Sequence, residues 1–378
     1  MKKIVILSLL VIITVLFAAE IRRGFLAGLL LIDAVREPEQ AIMEKFFPLP
    51  AVEKVFVSSR GRNISADLYI PRRDGQLVPL LLVHDAGTAG KADKRIVSLA
   101  GNLARAGFLV LVPDLEALRS FRLRLSDAED IVQCFRYLNR HEHVRAGGCM
   151  LGFGFGSGPL LMAAADRRIS GQVGTIAALG GYGDLRSVLQ YGLTGSYEYG
   201  GRSGRQRPDQ TVRWTLVFRN LDLLAPPGEQ EAMQRITEKQ LRLETGNVPL
   251  LVRGLGPDER AVYQFIRNTE PERFTPLYEN LPTKLREYVH LMSPARVVKS
   301  VKAEVLLAHA EDDYQVPFTE SLRIADAVGD PDRVAVAVLP EYFTSGSGLS
   351  AGGVYRKYVL GGTRLYGVIY RFLENGRV

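Results

Sequence analysis

The chemistry this chain could do is concentrated in one glycine turn, two histidines and one acid. The stretch GGCMLGFGFGSGPLLMAAAD, residues 147 to 166, is a small-residue-rich apolar run, a tight turn and an alanine-rich apolar helix. A strand-to-helix turn of this kind lifts its central side chain above the end of a sheet, where an oxygen nucleophile could attack. Its path is so tight that the positions two before and two after the centre must be small, and Gly152 and Gly156 meet that need. The centre itself is Gly154. Any other residue there would hold a strained backbone at a cost on the order of 1–3 kcal/mol, which glycine escapes. The turn is kept and its nucleophile is missing. Ser157, the nearest hydroxyl, falls in the first turn of the helix, where it is expected to cap or pack rather than attack. The histidines are His84, His141, His143, His290 and His309, and none follows residue 309.

The elements around this turn alternate. AVEKVFVSS and NISADLYIP are alternating runs split by Arg60-Gly61-Arg62, which predicts a β-hairpin. PLLLVHD, FLVLVPD, GGCMLG and VGTIAALG are short apolar runs too uninterrupted for a sheet with a wet face. Helical patterns separate them. KADKRIVSLAGNLARAG stops at Gly107, and SDAEDIVQCFRYLNRH opens with a capping box in which Ser126 reaches toward Glu129. The alternation resumes with KAEVLLAHA, a helix near PFTESLRIADAV, RVAVAVLP and a last helix over TRLYGVIYRFLEN. The order predicts an α/β fold with a mostly parallel, doubly wound sheet. Residues 184 to 294 break the pattern and read as a helical lid, with Trp214, Phe218, Tyr263, Phe265 and Tyr278 as its own core. The expected organisation is a core over 53–183 and 295–378, this lid, and a polar connector over 36–52.

Four of these stretches, in order, resemble the α/β-hydrolase superfamily and, within it, the dienelactone-hydrolase-like branch with an enlarged lid. LLLVHDAGTAG resembles the strand and His-Gly turn that supply an oxyanion-hole amide, and LARAGFLVLVPDL the helix and strand that follow. MLGFGFGSG is similar to the G-x-S-x-G elbow. VLLAHAEDDYQVPF resembles the late strand and turn that deliver the triad acid. The resemblance covers about residues 53 to 183 and 295 to 374. It implies that Asp313 is the triad acid, three after Ala310 and four before Pro317, and that His309 is a structural hydrogen-bonder. It also implies that His84, Ala86 and Gly87 form the oxyanion turn, with Phe153 and Phe155 beside the pocket. The chain departs from the pattern at Gly154, at Asp85, which interrupts the His-Gly run, and after the last strand. There Phe343, Thr344 and Ser345 stand where the basic histidine belongs.

These departures predict a catalytically silent member of the fold. Triad residues act as a unit, so losing one costs nearly what losing all costs. What remains is oxyanion-hole and binding catalysis, about 10³–10⁴ over water. Such a protein would bind a small acyl or ester-like molecule under the lid, or another protein. Two other readings stand beside it. One is an active ester or acyl hydrolase rearranged around Ser157, His84 or His309, and Asp313. The other is a scaffold whose pocket is closed by Phe153, Phe155 and Phe343.

Composition narrows the partners. The 378 residues are 47% hydrophobic and 24% charged, as in ordinary globular proteins. The net charge of +7 is spread along the chain, with no basic run dense enough for nucleic acid. No zinc-like Cys/His spacing or cofactor motif occurs, and Cys134 and Cys149 read as inert buried thiols. The start, MKKIVILSLLVIITVLFAAE, is uncharged and mostly apolar from residue 4 to 19. It is expected to be an uncleaved membrane anchor, about 24 Å long as a helix, with a cleaved signal peptide as the alternative. Lys2 and Lys3 precede this run and Arg22 and Arg23 follow it, so flanking charge favours neither orientation. GFLAGLLLIDAV, 24 to 35, is too short to span and is expected to lie on the membrane or pack on the domain.

Overall fold

A computed structural model describes residues 17–73, 75–142, 144–206, 210–224, 230–242, 248–340 and 360–376. Its centre is an eight-stranded sheet. β1 (Ala51–Ser59) and β2 (Arg62–Ile70) form the hairpin, followed by β3 (Val78–Val83), β4 (Phe108–Pro113), β5 (Gly148–Phe153) and β6 (Val173–Leu179). A small ribbon of β7 (Ser196–Tyr199) and β8 (Arg202–Arg205) stands apart, and β9 (Glu304–Ala310) and β10 (Val334–Leu339) complete the sheet. The spatial order is β1-β2-β4-β3-β5-β6-β9-β10, with β1–β2 and β2–β4 antiparallel and every other pair parallel. The hairpin closes through Arg60 and Gly61 alone, at φ 49° and 76°. Two consecutive left-handed residues match the twist of the flanking strands. Arg62 is already in β2.

Every residue of β3 and β4 is buried, because helices cover both faces. One face carries α1 (Ala18–Ala34), α2 (Lys94–Ala106) and, from the far end of the chain, α7 (Gly362–Asn375). The other carries α3 (Ser126–Leu138), α4 (Ser157–Ala164) and α6 (Thr319–Val328). α2 starts on an Asp93 carboxylate that accepts from the Arg95 N–H, and ends at Gly107, whose φ of 119° closes the helix. The capping box expected for α3 does not form. Ser126 is the first helical residue, Leu125 stands in the cap position and no side chain caps the helix. Glu129 instead accepts from Arg168 and Gln133; a charge-assisted pair of this kind is stronger than a bond to a backbone amide.

Between β6 and β9 the chain builds a helical insertion. It opens with α5 (Leu185–Thr194) and the β7–β8 ribbon. The helices Gln210–Arg219, Gln230–Leu241, Pro257–Arg267, Pro271–Glu279 and Thr283–Leu291 follow. Its apolar residues form a separate cluster that includes Trp214, Tyr263, Phe265 and Phe274, with Phe218 and Tyr278 packed against it. Polar ties hold it to the sheet: Arg124 to Asp222, the Asn220 side chain to the Leu123 N–H, and the Tyr288 hydroxyl to the Leu123 carbonyl.

The N-terminal expectation is corrected in part. Residues 4 to 16 of the expected anchor lie outside the described residues. From Ala18 the chain is one helix through Arg22 and Arg23 to Ala34, rather than an anchor ending at 19 and a second segment from 24. Among the described residues no helix is long and apolar enough to cross a membrane. The α1 face made by Leu26, Ala27, Leu29 and Leu30 is buried on the domain.

Candidate active site

β5 ends at Phe153, and the chain turns through Gly154–Gly156 into α4 at the carboxyl edge of the sheet. Gly154 has a φ of 47°, in the left-handed region that side chains disfavour. The flanking glycines are forced by space. A Cβ on Gly152 would stand 3.1 Å from the Ser157 Cα, and one on Gly156 would run into the His84 carbonyl oxygen.

The space over Gly154 is not empty. A Cβ there would collide with the Asp85 carboxylate, meeting its Cγ and both oxygens. Asp85 Oδ1 accepts two backbone hydrogen bonds, from Phe155 N at 2.8 Å and Ala86 N at 2.6 Å. These amides follow the vacant centre and line the β3 turn, the two places from which an oxyanion hole draws its donors. The chain's own carboxylate occupies both. Burial pushes the Asp85 carboxyl up to about 6, reinforced by the charge of Asp313, although the two amides pull the other way. Sequence reasoning treated Asp85 as an interruption and missed it as the occupant. The available signal was an acid directly before a donor amide, in a chain whose nucleophile position is glycine.

Both candidate histidines are committed elsewhere. His84 Nδ1 lies 2.7 Å from the Asp85 carbonyl oxygen and Nε2 accepts from the Leu115 N–H at 3.3 Å. A carbonyl can only accept, so Nδ1 carries the proton. Burial lowers the pKa of His84 and favours this neutral form. His309 is buried, with Nε2 3.0 Å from the Val316 carbonyl and Nδ1 2.9 Å from Ser321 Oγ. The same logic makes Nε2 the donor and Ser321 a donor to Nδ1. Asp313 Oδ2 is 3.3 Å from His309 Nε2, while Oδ1 accepts from the backbone N–H groups of Gln315 and Val316. The Asp313 carbonyl accepts from the Tyr191 hydroxyl of α5 at 2.6 Å.

Ser157 is wholly buried beneath the turn. Its Oγ has no hydrogen-bond partner among the described residues, and it caps nothing, since Gly156 holds the cap position of α4. The structure therefore brings Asp313 and His309 together, and Asp85, Ala86 and Phe155 together, but hydrogen-bonds neither histidine to Ser157. Phe155 is buried 5.8 Å from the Tyr182 ring, whereas Phe153 is half-buried against the α1, α2 and α7 face. Gly87 continues the turn with open space beside its Cα. Phe343, Thr344 and Ser345 lie outside the described residues. Among the described residues no group of three or more His, Cys, Asp or Glu could hold a metal ion. A surface cavity of about 420 Å³ lies at the opposite edge of the sheet, lined by Arg136, Asn139, Arg140, Arg168 and Gln172, and touches none of these groups.

No protein-family profile and no curated protein matches the chain. Solved structures do. A protein of Legionella pneumophila, described only provisionally as a hydrolase, is similar at 13% identity over 90% of this chain and 95% of that one, with a TM-score of 0.54. Est1E of Butyrivibrio proteoclasticus is 11% identical over 85% of this chain and 98% of its own, at 0.47. The acylaminoacyl peptidase of Pyrococcus horikoshii is 13% identical over 88% of this chain, which spans 42% of that longer protein, at 0.49. The Legionella likeness bears on architecture. With a mostly parallel eight-stranded sheet, a glycine elbow after β5 and an acid turn after β9, this chain has the α/β-hydrolase fold.

Proposed function

We propose that this protein is a catalytically silent α/β-hydrolase-fold module, tethered to a membrane through the apolar run that begins at Ile4 and precedes α1, that acts by binding. The observation that carries the reading is the Asp85 carboxylate over Gly154. Acyl transfer needs an attacking oxygen above the elbow and an empty pair of amides for the oxyanion. Here one acidic side chain fills both spaces and brings negative charge to the point where negative charge would have to develop. Removing a single oxyanion donor costs about 10²–10³ in turnover; Asp85 engages both. Neither candidate histidine supplies the base, because His84 and His309 each spend both ring nitrogens on structural partners.

The same carboxylate bears on the ligand. An acyl or ester-like molecule would direct its carbonyl oxygen at a hole already filled by an anion. That favours a protein partner, met through the helical insertion over residues 184–294, above a small acyl ligand beneath it. The resemblance of the acid turn to the dienelactone-hydrolase-like branch supports a relation to that branch as part of this proposal. Incubating the full chain with a fluorophosphonate probe tests the silence directly. The expected result is no covalent adduct by intact mass. Stoichiometric labelling of Ser157, or of any one serine, ends the reading.

A further inference from the structure

The described surface carries one concentrated apolar patch, and it is not at the elbow. Leu26, Leu29 and Leu30 of α1 are buried, while Phe17, which holds its cap position, and Ile21, Phe25 and Ile32 along it are exposed. At 100° per residue they fall, with Gly28, within an arc of about 80°, so they form one stripe along a helix about 25 Å long. No charged residue lies in that arc. Phe46 extends it, stacked edge-on against Phe25 at 5.6 Å between ring centroids, and Leu49 follows. These six side chains are between 38% and 65% exposed. Two more exposed apolar residues, Val52 and Phe56, lie on β1. Their neighbours Val55 and Val57 pack with α3, so alternation turns Val52 and Phe56 to the sheet face that α1 covers. Scattered exposed apolar residues are ordinary, whereas a contiguous patch marks a surface that is covered.

What covers it is indicated by charge and by the chain. Arg22, Lys45, Lys54, Arg72 and Arg73 border the patch, and none has a side-chain partner among the described residues. Arg22 and Arg73 are close enough to repel: burial, and then the charge of Arg73, lowers the pKa of Arg22. The neighbouring acids Glu39 and Glu44 are engaged by Lys94 and Arg105, which leaves Glu20, Glu37 and Glu53 as the unpaired anions of the rim among the described residues, against five unpaired cations. The uncharged run that begins at Ile4 reaches the patch at Phe17, the first residue of the stripe.

We infer that this patch docks on an anionic bilayer, with α1 lying in the plane of the membrane surface and Phe46 and Leu49 reaching below it. Apolar area and basic charge then act together, each cation near such a surface contributing about 1 kcal/mol. The inference rests on the tether proposed above and adds an orientation: the sheet face covered by α1 and α7 meets the lipid.

Trp214 is the only tryptophan and is buried in the insertion, so it serves as an internal reference. The experiment uses the full chain with Phe46→Trp and vesicles whose phosphatidylcholine carries brominated acyl chains, with and without phosphatidylglycerol. The expected result is loss of most of the emission that the new tryptophan adds, deeper with phosphatidylglycerol, while the unsubstituted chain keeps its emission. Phe25→Trp repeats the measurement should Phe46→Trp fail to fold. Failure of the chain to co-float with any vesicle removes the tether and the docking together. Flotation with an unquenched tryptophan leaves the tether standing and overturns the docking. So does a tryptophan already blue-shifted before vesicles are added, which would mean that residues 4 to 16 or a second copy covers the patch. Equal quenching on neutral and anionic vesicles overturns the assignment of an anionic surface.

Discussion

Replacing Asp85 with asparagine isolates the charge that occupies the elbow. Asparagine keeps an oxygen for the Phe155 and Ala86 amides and removes only the ionisation. The native carboxyl titrates near 6 in the folded protein, against 3.8 unperturbed. That separation corresponds to about 3 kcal/mol. The sign follows from proton counts. Between the two values the folded chain holds a proton that the unfolded chain has released, so stability falls as pH rises through this window. The penalty is absent below about pH 3.8, complete above about pH 6, and flat thereafter. Asp85→Asn carries no such penalty. It is therefore expected to exceed the native chain in stability by up to about 3 kcal/mol near pH 8, with the gap closing toward pH 4. Urea denaturation of both chains across that range gives the difference directly, and other carboxyls such as Asp127, also raised by burial, cancel in it. A gap that is constant with pH, or an asparagine variant less stable near pH 8, would refute the idea that a strained anion sits in the hole. Asp85→Ala makes the contrast, since it frees two amides with nothing to accept from them.

Gly154→Ser should lower the denaturation midpoint and give no ester turnover. The new side chain takes a left-handed backbone at about 1–3 kcal/mol and must also displace Asp85 from its amides. Measurable esterase activity in that variant would mean that a base stands closer to the elbow than His84 and His309 do. His309→Ala should cost about 2–4 kcal/mol by leaving the Val316 carbonyl and the Ser321 hydroxyl unpaired around a new void. The same variant should leave fluorophosphonate reactivity as absent as in the native chain, and a change there would give His309 a chemical part.

The sheet was legible because its strands are uninterrupted apolar runs and its turns carry glycine where φ is positive, at Gly61, Gly107 and Gly154. The acid turn was read only through its resemblance to the family, whereas the glycine elbow was legible for the same local reason, since its small residues are set by backbone geometry. The role of Asp85 was not. It depends on one side chain folding back across a gap from β3 to β5, and no periodicity encodes a contact between residues 70 positions apart. The α3 cap failed for a related reason. Ser126 and Glu129 have the right spacing, but Arg168, distant in sequence, offers Glu129 a stronger partner. The unbroken course of α1 through Arg22 and Arg23 was hidden because hydropathy ends at the charges, whereas the helix continues. Arg23 is absorbed by Glu374 and by the Tyr370 ring, both on α7.

That last contact has a consequence for how the molecule comes into being. Leu26, Leu29 and Leu30 find their cover partly on α7, and Tyr366 there donates to the Gly24 carbonyl. Cover for a helix that ends at Ala34 thus depends on one that begins more than 300 residues later, at Gly362. Met43, Ile96 and Leu103 can cover part of its inner side early in synthesis, and the part that faces α7 stays open until the far end of the chain arrives.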